Sequence, residues 1–202
     1  VTAAVLIIGN EILSGDVIDT NSTFLCKQLR ACGISVAEIC TVRDDSGRIG
    51  ERAWELSTRY DLVFCSGGIG ATHDDITIEA IAAAFGCGTV ADEGLAGLIA
   101  GYIIKEDDDE AKRRAAMATA RQMALVPEGS DVVWSEDEAS RKKFPLVIKE
   151  NVHIFPGVPE LLEAKFQTFR HRFEAMSKGG RFFVSKVYLR SDEISAKEHI
   201  DE

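Results

Sequence analysis

The residues best suited to chemistry lie between Leu62 and Phe85. An apolar run ending at Cys65 opens into Ser66-Gly67-Gly68-Ile69-Gly70 and then Ala71-Thr72-His73-Asp74-Asp75, before a helical pattern begins. Glycine adopts backbone angles that other residues avoid and lets a ligand approach the main chain closely. Backbone N–H groups at such a turn, feeding a helix N-terminus, suit a phosphate, so Gly67, Gly68 and Gly70 are the expected phosphate contacts. Asp74 and Asp75 beside that cradle would repel an anion unless a cation lies between them. A hard divalent ion with oxygen ligands, Mg²⁺ above all, meets that need. The competing reading makes Asp75 the N-cap of the helix that follows. Gly68-x-Gly70 lacks the third glycine of a dinucleotide fingerprint, and no Gly-Lys-Ser/Thr completes a P-loop.

Other loops offer partners for the same ion and anion. The apolar run Ala3 to Ile8 reads as a central strand, and Gly9-Asn10-Glu11-Ile12-Leu13-Ser14-Gly15 reads as a loop at its C-terminal end. Ligands bind at that edge of open parallel sheets, which makes Glu11 a second-loop metal ligand or else a solvated loop acid. Glu79 falls one turn beyond Asp75 on one helical face, where the two can share a cation or position a water. Asn21 either reaches the ligand through its amide or caps a helix. Phe155-Pro156-Gly157-Val158-Pro159-Glu160 repeats the strand, turn and helix-start pattern. Its Pro156 and Gly157 form a second pocket wall or a plain connection. Asp74 or His73 is placed to take a proton from a metal-bound water, with a phosphate-neighbouring surface cation as the other role for His73. Asp44-Asp45 reads as a cap and solvated turn, and His153, His171 and His199 lack metal-ligand spacing.

The elements that must position these residues follow from periodicity. Helices are predicted from Phe24 to Cys32, Ile49 to Tyr60, Ile76 to Phe85, Asp92 to Lys105, Asp109 to Met123 and Pro159 to about Ala175. Ile34 to Val42 alternates as a strand, with Ile34, Val36, Cys40 and Val42 on one side. A short strand is expected at Asp131 to Trp134, and a hairpin over Leu146 to Lys149 and Val152 to Phe155. Lys178-Gly179-Gly180 breaks the pattern. Arg181 to Leu189 is then a strand that needs a sheet partner in this chain, another subunit or further residues.

A chain of 202 residues holds one sizeable α/β domain, alone or with a fragment of another. Its formal net charge of −10 argues against nucleic acid or an anionic membrane as the main partner, without excluding a small phosphate ligand. The odd number of cysteines, Cys26, Cys32, Cys40, Cys65 and Cys87, contains no C-x-x-C pair and reads as reduced, buried thiols. No apolar run approaches membrane-spanning length and no signal peptide is visible, so a cytoplasmic location is expected.

Taken together, Gly9-Asn10-Glu11-Ile12-Leu13 with Asp19-Thr20-Asn21, the Gly67 to Asp75 loop, Gln122 to Gly129 and Phe155 to Leu162 resemble the MoaB/MogA-like molybdopterin-binding domain family. The likeness is greatest to the branch shared by CinA proteins and the N-terminal half of eukaryotic FAD synthases. It spans roughly residues 2 to 169. The resemblance implies a three-layer α/β sandwich with a mostly parallel sheet over residues 1–175. Residues 176–202 would then be the start of a small C-terminal α+β subdomain. Trimers or dimers and a fused or separate FAD synthase domain are further implied. The ligand would be molybdopterin or a dinucleotide whose pyrophosphate is hydrolysed, FAD or ADP-ribose. Carried onto matching positions, Glu11, Asp75 and Glu79 would handle the metal and Gly67, Gly68 and Gly70 the phosphates. Thr72, Asp74, Pro156 and Gly157 would line the pocket. Asn10 stands where this branch usually carries Asp, removing one metal charge. A non-catalytic pterin- or nucleotide-binding module is the alternative reading.

Overall fold

The computed structural model describes residues 1–69, 76–135, 144–177 and 179. Four strands run parallel: β1 (Thr2–Ile8), β2 (Ser35–Val42), β3 (Leu62–Ser66) and β8 (Val152–Phe155). Antiparallel strands β6 (Asp131–Val133) and β7 (Leu146–Lys149) extend the sheet, giving the order β2-β1-β3-β8-β7-β6. In between lie β4 (Thr89–Ala91) and β5 (Leu125–Pro127), which pair antiparallel as a separate two-stranded sheet. The helices are α1 (Asn10–Ser14), α2 (Thr20–Ala31), α3 (Ser46–Arg59), α4 (Thr77–Ala84), α5 (Glu93–Ile103), α6 (Glu110–Met123) and α7 (Pro159–Met176).

Alternation along β1 and β3 builds two cores, one on each face of the sheet. Ala4, Leu6, Ile8, Val63 and Cys65 pack with residues of α3, α4, α5 and α6. Ala3, Val5, Ile7 and Phe64 pack with Leu25 and Leu29 of α2 and with Leu162, Phe166, Phe169 and Phe173 of α7. The result is the expected three-layer α/β architecture.

Strand β2 departs from the expected one-sided pattern. Ile34 and Val36 join the α2–α7 core, whereas Cys40 and Val42 join the opposite one. The cause is a register shift: Ala3 faces Val36 but Ala4 faces Glu38, so Ala37 is an extra residue that reverses the parity of everything after it. Two further differences are local. The Gly9–Gly15 segment contains the short helix α1, closed by Gly15 in the left-handed region. The three-residue strands β4 and β5 occupy stretches for which the sequence predicts no strand. The Arg181 to Leu189 strand and the subdomain expected over 176–202 lie, apart from Met176, Ser177 and Gly179, outside the described residues. Among the described residues no helix is long and apolar enough to cross a membrane. All five cysteines are unpaired, with Cys32 and Cys65 buried, and burial pushes the Cys65 thiol up to about 12.

His153 of β8 sits inside the α2–α7 side of the sheet. It stacks on Phe64 at 5.1 Å between ring centres and hydrogen-bonds the Asn151 carbonyl through Nδ1 at 3.1 Å. Burial outweighs that bond and holds its pKa down at about 4, against an ordinary 6.5. As the pH falls through about 6.5, the unfolded chain takes up a proton that the folded chain refuses until about pH 4. Stability is therefore complete above pH 6.5 and declines by about 3 kcal/mol across that window. Urea unfolding at pH 7 and pH 4 should show this loss in the wild type and a flatter dependence in His153→Leu. Equal slopes would mean that the buried imidazole is not the group responsible.

Candidate functional site

The parallel strands β1, β3 and β8 all end at one edge of the sheet, and the turns that leave them pack against one another. Gly67 and Gly68 follow β3 with φ of 113° and 62°, angles at which an L side chain is strained. A Cβ on Gly67 would collide with the Ile8 carbonyl oxygen, and one on Gly68 with Thr77 Oγ1. Thr77 Oγ1 donates to the Gly67 carbonyl at 2.9 Å, and the Thr77 N–H donates to the Gly68 carbonyl at 3.1 Å. The glycine turn is thus tied into the start of α4. The Gly67 N–H donates to the Phe155 carbonyl at 3.4 Å, so this amide is directed at the protein's own chain. The missing side chain at Gly67 is what lets this turn pack against Ile8.

The third turn is joined to the second by side chains. Asn21, on the first turn of α2, donates from Nδ2 to Ser66 Oγ at 3.1 Å and to the Gly157 carbonyl at 2.7 Å. Ser66 Oγ in turn donates to the Pro156 carbonyl at 2.9 Å. Asn21 and Ser66 are buried, so satisfying these polar atoms matters to the fold as well as to the site.

These turns border a cleft of about 490 Å³. Its floor is Ile7, Ile8 and Ser66. Its walls are Gly67 and Gly68, then Asn21, then Gly157 and Pro159, and finally the α1 segment with Asn10, Glu11, Val17 and Ile18. Four carboxylates, Glu11, Asp16, Asp19 and Asp44, line it. Three are engaged with the chain. Asp16 accepts from Ser14 Oγ at 2.6 Å, Asp19 caps α2 by accepting from the Ser22 N–H at 2.9 Å, and Asp44 accepts from the Asn10 N–H at 2.8 Å. Asn10 returns the last bond, its Oδ1 accepting from the Asp44 N–H at 3.4 Å.

Glu11 differs from these. Among the described residues its carboxylate has no hydrogen-bond or ion-pair partner, and it lies over Gly9, where a Cβ would fall 2.5 Å from Oε1. A Cβ at position 9 would fit only if the flexible end of Glu11 moved aside. At φ 162° the backbone there is extended and available to any residue. Opposite in character is the start of α7. Its cap residue Val158 supplies no side-chain acceptor, Pro159 has no N–H, and the Leu161 N–H returns to the Val158 carbonyl at 3.1 Å, so of the first-turn amides that of Glu160 is the one open to a ligand among the described residues. A cleft bordered by an unengaged carboxylate and an uncapped helix start can take an anion together with a cation.

Of the residues expected at the site, Glu11, Asn21, Gly67, Gly68 and Gly157 line one cleft, and Pro156 contributes its carbonyl to the Ser66 bond. Glu79 is exposed on the first turn of α4 and is not among the lining residues. Gly70, Thr72, His73, Asp74 and Asp75 lie outside the described residues. The cap position of α4 falls on Ile76, one residue after Asp75, with no side-chain acceptor. Among the described residues no group of three or more His, Cys, Asp or Glu side chains is placed to hold a metal. Sequence reasoning did not single out Ser66, Asp16, Asp19 or Asp44 as site residues. Asp45 caps α3 through the Arg48 N–H, as its position suggested, but Asp44 reaches across to Asn10.

Residues 4–174 match the family model described as a probable molybdopterin binding domain. The chain belongs to this family. Within the molybdopterin-binding-like domains it is 32% identical over 201 residues to a probable FAD synthase of Caenorhabditis briggsae, covering 95% of this chain and 38% of that protein. It therefore spans well under half the length of that relative. The solved structure of CinA from Thermoplasma acidophilum, a protein of unknown function, matches with a TM-score of 0.69 at 28% identity, covering 85% of this chain and 97% of that one. The MogA structure matches at a TM-score of 0.53 and 17% identity over 88% of this chain and 98% of the other, a likeness of fold. The domain fold, the CinA-like relationship and the relationship to FAD synthases agree with the motifs read from the sequence.

Proposed function

We propose that this molybdopterin-binding-like domain is a divalent-metal-assisted pyrophosphatase for a dinucleotide such as FAD or ADP-ribose. The observation that carries the reading is the meeting, in one cleft, of the unengaged Glu11 carboxylate with the uncapped start of α7 and the side-chain-free Gly67–Gly68 turn. Four lining carboxylates make a bare diphosphate an unfavourable ligand, whereas a diphosphate carrying a hard cation offsets their charge. The donor chemistry fits such an ion, since every charged lining side chain presents oxygen. Glu11 would hold it, with Asp75, which lies beyond the described residues, as the expected second ligand. When bound, the ion supplies charge neutralisation at the diphosphate and acidifies a coordinated water. The chain's own part is to place the diphosphate between the α7 start and the glycine turn. Asp74 or His73 is the group proposed to accept the water's proton.

Incubation with FAD or ADP-ribose and Mg²⁺ should release AMP, with FMN or ribose 5-phosphate as the other product, and a chelator should stop it. Binding of both compounds without metal-dependent AMP would overturn the hydrolase reading and leave a module that binds pterins or nucleotides. Asn10, standing where this branch usually carries Asp, favours that second reading. We further propose that the chain self-associates as a trimer or dimer, as the resemblance implies. Ile18 at 83% exposure and Leu161 at 55% are apolar surface that association would cover. Sedimentation velocity should show a species larger than the 22.0 kDa monomer.

A further inference from the structure

The β8–α7 turn forms a wall of the cleft, yet hydrophobic contact does little to hold it there. Val158 is 51% exposed and Pro156 and Gly157 bring little or no side chain to either core. What fixes the turn is polar and runs between distant parts of the chain. Asn21 Nδ2 reaches the Gly157 carbonyl across 136 residues of sequence, and Ser66 Oγ reaches the Pro156 carbonyl across 90. The two side chains are themselves joined, Asn21 Nδ2 donating to Ser66 Oγ. Both hydrogens of the Asn21 amide are accounted for by these bonds, as is the one hydrogen of the Ser66 hydroxyl. Neither group has an N–H or O–H left to give a phosphate. There is also no slack for an alternative seating, since a Cβ at Gly157 would lie 3.2 Å from the Gly67 Cα.

We propose that Asn21 and Ser66 are positioning residues that act as one latch. They hold the Pro156–Gly157 turn against Gly67 and so present the uncapped start of α7 to the cleft. This deepens the pyrophosphatase reading and rests on it for the ligand. It also moves Asn21 from an expected ligand donor to a residue that acts through the turn. Because the three bonds form one closed loop, removing Asn21 frees the Gly157 carbonyl, removing Ser66 frees the Pro156 carbonyl, and either loss opens the loop that holds the turn. The two substitutions should therefore fail to add.

The test uses Ser66→Ala, Asn21→Ala and the double variant of the full chain, read by two independent measurements. The first is amide hydrogen exchange followed by mass spectrometry, which needs no ligand. Exchange of the segment from Gly157 to Leu162 should accelerate at least tenfold in each single variant, and no further in the double, while the β6–β7 segment stays at the wild-type rate. Ser66→Thr, which keeps the hydroxyl, should restore slow exchange. The second is calorimetric titration with ADP-ribose and Mg²⁺, where each variant should bind about tenfold more weakly. Wild-type exchange rates in both single variants overturn the latch, as do unchanged affinities in variants whose turn has loosened. If the wild type binds no dinucleotide at all, the proposed function fails separately, and the exchange measurement still decides whether the latch exists. Should Ser66→Ala not fold, Asn21→Ala carries the same comparison from the first turn of α2, where the backbone accepts alanine readily.

Discussion

Gly67→Ala is expected to lower stability by about 3 kcal/mol or more and to collapse the cleft. Two costs combine at this position. At φ 113° an alanine is strained by roughly 1–3 kcal/mol, and its Cβ is driven into the Ile8 carbonyl, a main-chain atom that cannot swing aside. Forcing β1 and β3 apart to make room disturbs a buried, close-packed pair of strands, which costs about 1–3 kcal/mol more. Gly86→Ala is the control. Gly86 has φ 69° but nothing lies within 4 Å of its Cβ position, so that variant should lose only the strain, about 1 kcal/mol. Thermal melting of the two side by side separates the terms, with Gly67→Ala lower by several degrees and Gly86→Ala near the wild type. Equal melting temperatures would show that the approach of the β3 turn to Ile8 is not as close as the structure has it.

That close approach also explains which parts of the molecule the sequence exposed and which it hid. Strands buried on both faces write themselves as continuous apolar runs, and β1 and β3 were legible for that reason. Helices with a capping acid and an apolar stripe, α3 behind Asp45 and α6 behind Asp109, were equally plain. β4 and β5, at three residues each, carry too few positions for an alternation to register. In α1 the cap is a glycine and the helix has five residues, so glycine punctuation concealed it. The parity reversal in β2 came from one extra residue, Ala37, which no local pattern announces because it is a property of the pairing with β1.

The site divides along the same line. Glycines at strand ends announced the turns, and the acid in the first loop announced Glu11. Side chains that work by joining turns were missed, since Ser66 looks like an ordinary turn residue and Asp44 like half of a helix cap. Their partners lie 90 and 34 residues away, and only folding brings them together. The one sequence signal for Ser66 was its position, a polar residue closing an otherwise apolar strand. Buried at 1% exposure, such a residue must find hydrogen-bond partners nearby.

Glu11 offers the most direct test of the chemistry. Glu11→Gln keeps the shape of the side chain and removes its charge. If the carboxylate holds the cation, metal-dependent release of AMP should fall by about 10²–10³-fold, as expected when several kcal/mol of charge stabilisation is lost. Magnesium affinity measured by calorimetry should drop with it, a readout that needs no turnover. Stability should hold within about 0.5 kcal/mol, because the side chain is exposed and makes no bond among the described residues. Gly9→Ala then separates charge from placement. Its backbone accepts alanine without strain, and the nearest obstacle is the flexible end of Glu11, so the carboxylate stays in the molecule but must leave its seat over residue 9. An intermediate loss, about tenfold, is expected for a ligand that is present and displaced. Full metal-dependent activity in Glu11→Gln would remove this residue from the metal site. A Gly9→Ala variant as impaired as Glu11→Gln would mean that the seat over Gly9 is the whole of what the carboxylate contributes.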